Sequence, residues 1–135
     1  MSIPGRAIRI KSRGFTAEIQ GIYLFDYAVQ SLCLPDRIFA KLATSKSPDV
    51  RTQVAQNRYI PPVLMDLLSA DPMHGVRCGL ARNRSLPFCI GSILASDKDP
   101  RVRILIARLD WTPDSLVRKL ISDEDPQVRY AAQSR

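Results

Sequence analysis

The dipeptide Val-Arg occurs four times, at Val50-Arg51, Val76-Arg77, Val102-Arg103 and Val128-Arg129, each time 26 residues after the last. A fixed period of this kind constrains the fold more than composition can. A chain that repeats every ~20–50 residues builds stacked copies of one small unit. Other positions keep step. Proline recurs at Pro35, Pro61, Pro87 and Pro113, and leucine at Leu42, Leu68, Leu94 and Leu120. An aliphatic side chain recurs at Ile38, Leu64, Ile90 and Leu116, and alanine at Ala55, Ala81 and Ala107. Asp71, Asp97 and Asp123 are in phase, with Ser45 in the earlier copy. Asn57 and Asn83 match, and Leu109 takes that place in the next copy. Leu24, Ala28 and Val29 carry a degenerate first copy.

Each unit reads as two short helices. The first follows Ser47-Pro48, Asp99-Pro100 or Asp125-Pro126, a polar N-cap with proline at the first helical position. Asp71-Pro72 lies two residues early and Gly75 follows, so that copy is expected to begin irregularly. The second helix starts near Pro61, Pro87 or Pro113. Leu64, Leu67 and Leu68, at i, i+3 and i+4, are expected on its buried face. A helix of about 8 residues is marginal alone. Stacked neighbours must therefore bury its apolar side.

Segments such as Pro48-Asp49-Val50-Arg51-Thr52-Gln53-Val54-Ala55 and Asp125-Pro126-Gln127-Val128-Arg129-Tyr130-Ala131-Ala132 resemble the leucine-rich repeat variant family. So does Leu-Leu-Ser-Ala-Asp-Pro at 67–72, and the resemblance covers roughly residues 24–135. It implies a right-handed superhelix of alternating α and 3-10 helices, related to HEAT-type arrays. The family's founding type adds an N-terminal iron–sulfur module. Residues 1–30 contain no cysteine, and a cluster needs about four thiolates, so no cofactor is expected. The family carries no common catalytic set, so no catalytic residue is transferred and no small-molecule substrate is expected.

The fold class expected is all-α: a solenoid of about four and a half 26-residue units over 22–135, divided near 22–44, 45–70, 71–96, 97–122 and 123–135. Residues 1–21 form a basic cap or arm. Within it Ile8, Ile10, Phe15, Ala17 and Ile19 alternate with polar residues around Arg13-Gly14, as in a β-hairpin; irregular coil is the alternative. No apolar run reaches the roughly 20 residues of a membrane helix, and no apolar leader is visible at the start, so a cytoplasmic location is expected.

Charge separates two function classes. The chain has 20 Lys+Arg against 13 Asp+Glu, a net +7, and its excess lies before residue 93. Arg6, Arg9, Lys11 and Arg13 precede any acidic residue. They are the candidates for nucleic-acid contact, with a solvated arm as the plainer reading. The arginines Arg51, Arg77, Arg103 and Arg129 could also face phosphates. At about 100° per residue, however, each falls inside the apolar arc of its helix. A structural ladder with Asp71, Asp97 and Asp123 along the seam between units is the reading favoured.

The far side of the first helix is polar at Thr52 and Gln53, then changes to Cys78 and Gly79, to Ile104 and Leu105, and to Tyr130 and Ala131. Such a stripe is either buried on two sides or an exposed apolar patch. Ile104, Leu105, Tyr130 and Cys78, flanked by Arg82 and Arg108, are accordingly the candidate residues for a protein partner or self-association. His74 reads as a turn residue, Trp111 as junction packing ahead of base stacking, and Cys33, Cys78 and Cys89 as buried small hydrophobes. The function expected is a non-enzymatic scaffold that binds another macromolecule, a protein first and a nucleic acid second.

Overall fold

The computed structural model describes residues 8–12, 15–19 and 29–135. Two strands, β1 (Ile8–Ser12) and β2 (Phe15–Ile19), pair antiparallel, with Ile8 opposite Ile19 and Ser12 opposite Phe15. Arg6 and Arg13 lie outside the described residues.

Among the described residues beyond the ribbon the chain is helical. First helices described in full are α2 (Pro48–Ala55), α4 (His74–Ala81), α6 (Pro100–Ala107) and α8 (Pro126–Gln133). Four second helices are α1 (Asp36–Ala43), α3 (Pro62–Ser69), α5 (Phe88–Leu94) and α7 (Asp114–Ile121). Within each set the starts are 26 residues apart, the interval of the sequence.

The caps explain the starts. Ser47, Asp99 and Asp125 each accept a backbone amide from the first turn of their helix, and Pro48, Pro100 and Pro126 follow them. A proline precedes every second helix, with φ between −58° and −66°. That restriction turns the chain into the helix without a side-chain cap. Met73, before α4, gives no side-chain cap either, yet α4 still begins in phase at His74. The irregularity expected there is confined to the cap. Asp71 takes the Met73 amide on Oδ1 at 2.9 Å, and tertiary packing holds the register. His74 is thus the first residue of a helix and not a turn residue.

Neighbouring helices of the same set pack together: α2 on α4, α4 on α6 and α6 on α8, with α1 on α3 and α3 on α5 alongside. Repeat-equivalent side chains fill the core between the two sets. Val76, Val102 and Val128 are fully buried, as are Leu68, Leu94 and Leu120, and Ala55, Ala81 and Ala107. Each large aliphatic side chain so placed contributes about 1.5–3 kcal/mol, which helices this short need. First helices come close at Gly79: a β-carbon there would lie 3.0 Å from the Thr52 carbonyl oxygen, so a larger residue would need α2 or α4 to give by a few tenths of an ångström.

One expectation about the second helix fails. Leu68 is buried, but Leu67 is 50% exposed, and Met65 is buried instead. At about 100° per residue the buried arc of α3 centres between Leu68 and Met65, which leaves Leu67 with Val63 and Asp66 on the outside.

Candidate functional site

A continuous polar ladder runs between the units. Arg77 grips Asp97 with two hydrogen bonds, Nε to Oδ2 at 2.6 Å and Nη2 to Oδ1 at 3.1 Å. Its Nη1 donates to the Asp71 carbonyl at 2.6 Å. Arg51 treats Asp71 and the Ser45 carbonyl alike, and Arg103 treats Asp123 and the Asp97 carbonyl alike. Arg129 donates to the Asp123 carbonyl at 2.7 Å. Each aspartate also caps its own turn, accepting the amide two residues on. Arg77 and Asp97 side chains are only 5% and 6% exposed. A planar fork matched to a carboxylate suits such a seam.

The titration of these groups follows. The hydrogen bond to Asp97 raises the Arg77 guanidinium above its ordinary value, and that to Asp123 raises Arg103. Burial alone would raise the Asp123 carboxyl, but the hydrogen bonds from Arg103 and from the Asp125 amide outweigh it and lower it. Asp99, nearer the surface, is held down to about 2, first by the hydrogen bond from Arg101. These arginines are thus committed to carboxylates and carbonyls inside the stack.

A second ladder was visible in the sequence only as a coincidence of asparagines. Asn83, 1% exposed, donates from Nδ2 to the Ala55 and Asn57 carbonyls at 2.7 and 2.9 Å, and its Oδ1 accepts the Ser85 amide at 2.8 Å. Asn57 does the same with the Val29 and Leu32 carbonyls and the Tyr59 amide. The signal was present: an amide side chain in phase with the core is buried, and buried polar groups are paired.

The stripe on the first helices does not form one surface. Cys78 is buried, and burial raises its thiol above the ordinary value. Ile104 and Leu105 are half-buried against the core. A first helix is flanked by first helices on both sides and by second helices behind, so α4 is enclosed all round from Val76 to Ala81. Tyr130, on the last described helix, is 69% exposed. It meets Arg108 in an open cleft of about 410 Å³, lined also by Asp110, Ala131, Ser134 and Arg135. Arg82 is exposed apart from this cleft.

Exposed apolar side chains lie together on two of the second helices. Val63 and Leu67 of α3 are 74% and 50% exposed, and Phe88 and Ile93 of α5 are 56% and 49% exposed. Cys89 is exposed among them, not buried as expected. Trp111 packs at the junction: its ring edge stands 2.9 Å from where a β-carbon on Gly91 would be, which ties the start of α7 to α5. Lys119 of α7 donates to Ser96 just beyond α5. Arg9 and Lys11 lie on β1. Among the described residues no helix is long and apolar enough to cross a membrane, and no cluster of three metal-ligating side chains occurs. No family model, curated protein or solved structure matches the chain.

Proposed function

We propose that the chain is a non-enzymatic α-solenoid of the leucine-rich repeat variant kind, a right-handed superhelix capped by its N-terminal ribbon, which binds a protein partner on one face. The observation that carries the reading is the exposure of Val63, Leu67, Phe88 and Ile93 together on helices whose cores are already filled. Helical stacks offer extended surfaces of this kind, and contiguous apolar exposure marks interaction sites. The in-phase helix starts and the Arg–Asp ladder support the solenoid, since both depend on each unit meeting the next in the same way.

Nucleic-acid binding through Arg6, Arg9, Lys11 and Arg13 is the second reading, and the net +7 favours it. One pair of measurements separates the two. Selection of displayed random peptides against the immobilised chain is expected to enrich binders. Fluorescence anisotropy with mixed-sequence DNA and RNA is expected to show no complex at about 200 mM salt. Failure to enrich any peptide, with micromolar nucleic-acid binding that collapses between about 50 and 200 mM salt, would reverse the assignment.

A further inference from the structure

One register position on the outward face of the second helices reads Lys41, Leu67, Ile93, Lys119 across α1, α3, α5 and α7. All four side chains are exposed. The neighbouring position reads Arg37, Val63, Cys89, Ser115, again all exposed. The face therefore has an apolar centre on α3 and α5 and cations on the helices either side. Phe88 extends the centre, and Arg118 of α7 adds a further cation at that edge. Two core-facing positions of these helices, 38/64/90/116 and 42/68/94/120, hold an aliphatic residue in every unit. The outward ones do not, so the pattern is not a by-product of the repeat.

We propose that this face is a docking site for an amphipathic helix of a partner protein with an apolar middle and acidic ends, lying across the second helices. The inference rests on the scaffold reading and gives its partner a chemistry. Geometry sets the length. Packed helices stand about 8–10 Å apart, so the steps from α1 to α3 and from α3 to α5 span about 16–20 Å, and the step to α7, tied to α5 through Trp111 and Lys119, takes the row to about 25–30 Å. A helix of about 20 residues covers that distance. Its middle turns would cover Leu67, Ile93, Val63 and Phe88, and its terminal carboxylates would meet Lys41 with Arg37 at one end and Lys119 with Arg118 at the other.

Charge chooses this occupant over two others. A second copy placed by a two-fold axis through the centre of the face would bring Leu67 onto Ile93 but Lys41 onto Lys119, cation against cation. An anionic bilayer would suit the lysines, but Asp66 is exposed between Val63 and Leu67, with Asp36 and Asp114 at the helix starts. Asp66, in the middle of the face, opposes a uniformly negative surface there, whereas a helix can keep its middle free of acids and place them at its ends, where Arg37 with Lys41 and Arg118 with Lys119 outnumber Asp36 and Asp114.

The test uses the full chain and two labelled peptides of about 20 residues, each with leucines on one face of its middle turns. One has glutamates in its first and last turns, and the other has lysines there. Anisotropy is expected to show the glutamate-ended peptide binding at least about tenfold tighter. The Leu67→Lys/Ile93→Lys variant is expected to lose at least about tenfold for it. Lys41→Glu/Lys119→Glu is expected to reverse the preference, a gain that a misfolded variant would not give. Binding should also slow alkylation of the Cys89 thiol.

Equal binding of the two peptides, binding of neither, or no reversal by the charge swap would overturn the inference. So would uptake on phosphatidylserine vesicles, or dimerisation, that is lost in Leu67→Lys/Ile93→Lys while the glutamate-ended peptide does not bind. Peptides enriched by selection that still bind that variant would remove this face and leave the scaffold reading standing.

Discussion

The seam between units and the outward face of the second helices are built on the same 26-residue register, and they use it in opposite ways. Along the seam the register repeats: arginine at 51, 77, 103 and 129, aspartate at 71, 97 and 123. On the face it varies: lysine, leucine, isoleucine and lysine at 41, 67, 93 and 119. The seam must present the same geometry to each neighbour, because each aspartate accepts one arginine's fork through its carboxylate and the next arginine through its carbonyl. The face meets no other unit and carries no such obligation. Within one chain, sameness at a register position marks a contact that every unit makes alike, and difference at an exposed position marks where the stack can acquire a partner.

Breaking the seam gives the largest expected effect. Asp97→Ala leaves Arg77 buried with its Nε and Nη2 unpaired and removes the acceptor of the Asp99 amide. Removing one partner of a buried pair costs about 3–5 kcal/mol, most of it the stranded charge. Urea denaturation followed by circular dichroism should show that loss. A cost below about 1 kcal/mol would mean that the pair is hydrated, as surface pairs are, and that the seam is no more demanding than the face.

The asparagine ladder comes next. Asn83→Ala removes donors from the Ala55 and Asn57 carbonyls and an acceptor from the Ser85 amide in a buried place. Unsatisfied buried groups cost about 1–3 kcal/mol each, and partial relaxation makes about 2–3 kcal/mol the expected total. The same denaturation experiment reads it. This ladder is less complete than the first: the residue in phase with it at 109 is leucine, which can donate to nothing.

Much of this is legible in the sequence. The period, the two helices per unit and their starts at Ser47-Pro48, Asp99-Pro100 and Asp125-Pro126 follow from spacing and capping chemistry. The arginines were placed on the seam because a charged group inside an apolar arc must find a partner there. The faces were harder. Leu67 reads as core because it stands i+3 from Leu64, but a helix of eight residues buries an arc narrower than three apolar neighbours suggest. Cys78, Ile104 and Leu105, which replace Thr52 and Gln53, read either as buried on two sides or as an outer surface, and the structure buries Cys78 and half-buries the other two. A wheel drawn for one helix does not show that a stacked neighbour lies against that side too. The α4 helix is closed from both directions, and only the ends of a row, such as Tyr130, keep the exposure that the wheel assigns to all.

Two glycines in α4 test that enclosure directly. Gly79→Ala puts a methyl 3.0 Å from the Thr52 backbone oxygen and 3.0 Å from its Cγ2, and backbone cannot step aside as a side-chain tip can. Overpacking of this kind costs about 1–3 kcal/mol. Gly75→Ala, four residues earlier on the same helix, meets nothing within 4 Å. There the gain in helix propensity, about 0.5–1 kcal/mol, should stand alone. Opposite signs in thermal denaturation are expected. A stabilising Gly79→Ala would show that α2 and α4 have room between them.

The smallest effect is expected on the face, and its smallness is the point. Lys41 and Lys119 show that this register position already accepts lysine on α1 and α7. Leu67→Lys and Ile93→Lys copy that choice onto α3 and α5, where half of each side chain is already in water. Substitutions at such sites usually fall within about 0.5 kcal/mol. The folded chain should keep its denaturation midpoint in both single variants and in the double one. If either costs more than about 2 kcal/mol, the leucine or isoleucine is part of the core despite its exposure. The variation along the row would then reflect packing, and a partner would not be needed to account for it. If the midpoint holds, the apolar centre does nothing for the fold that lysine does not do, and its presence on the two middle helices calls for a ligand.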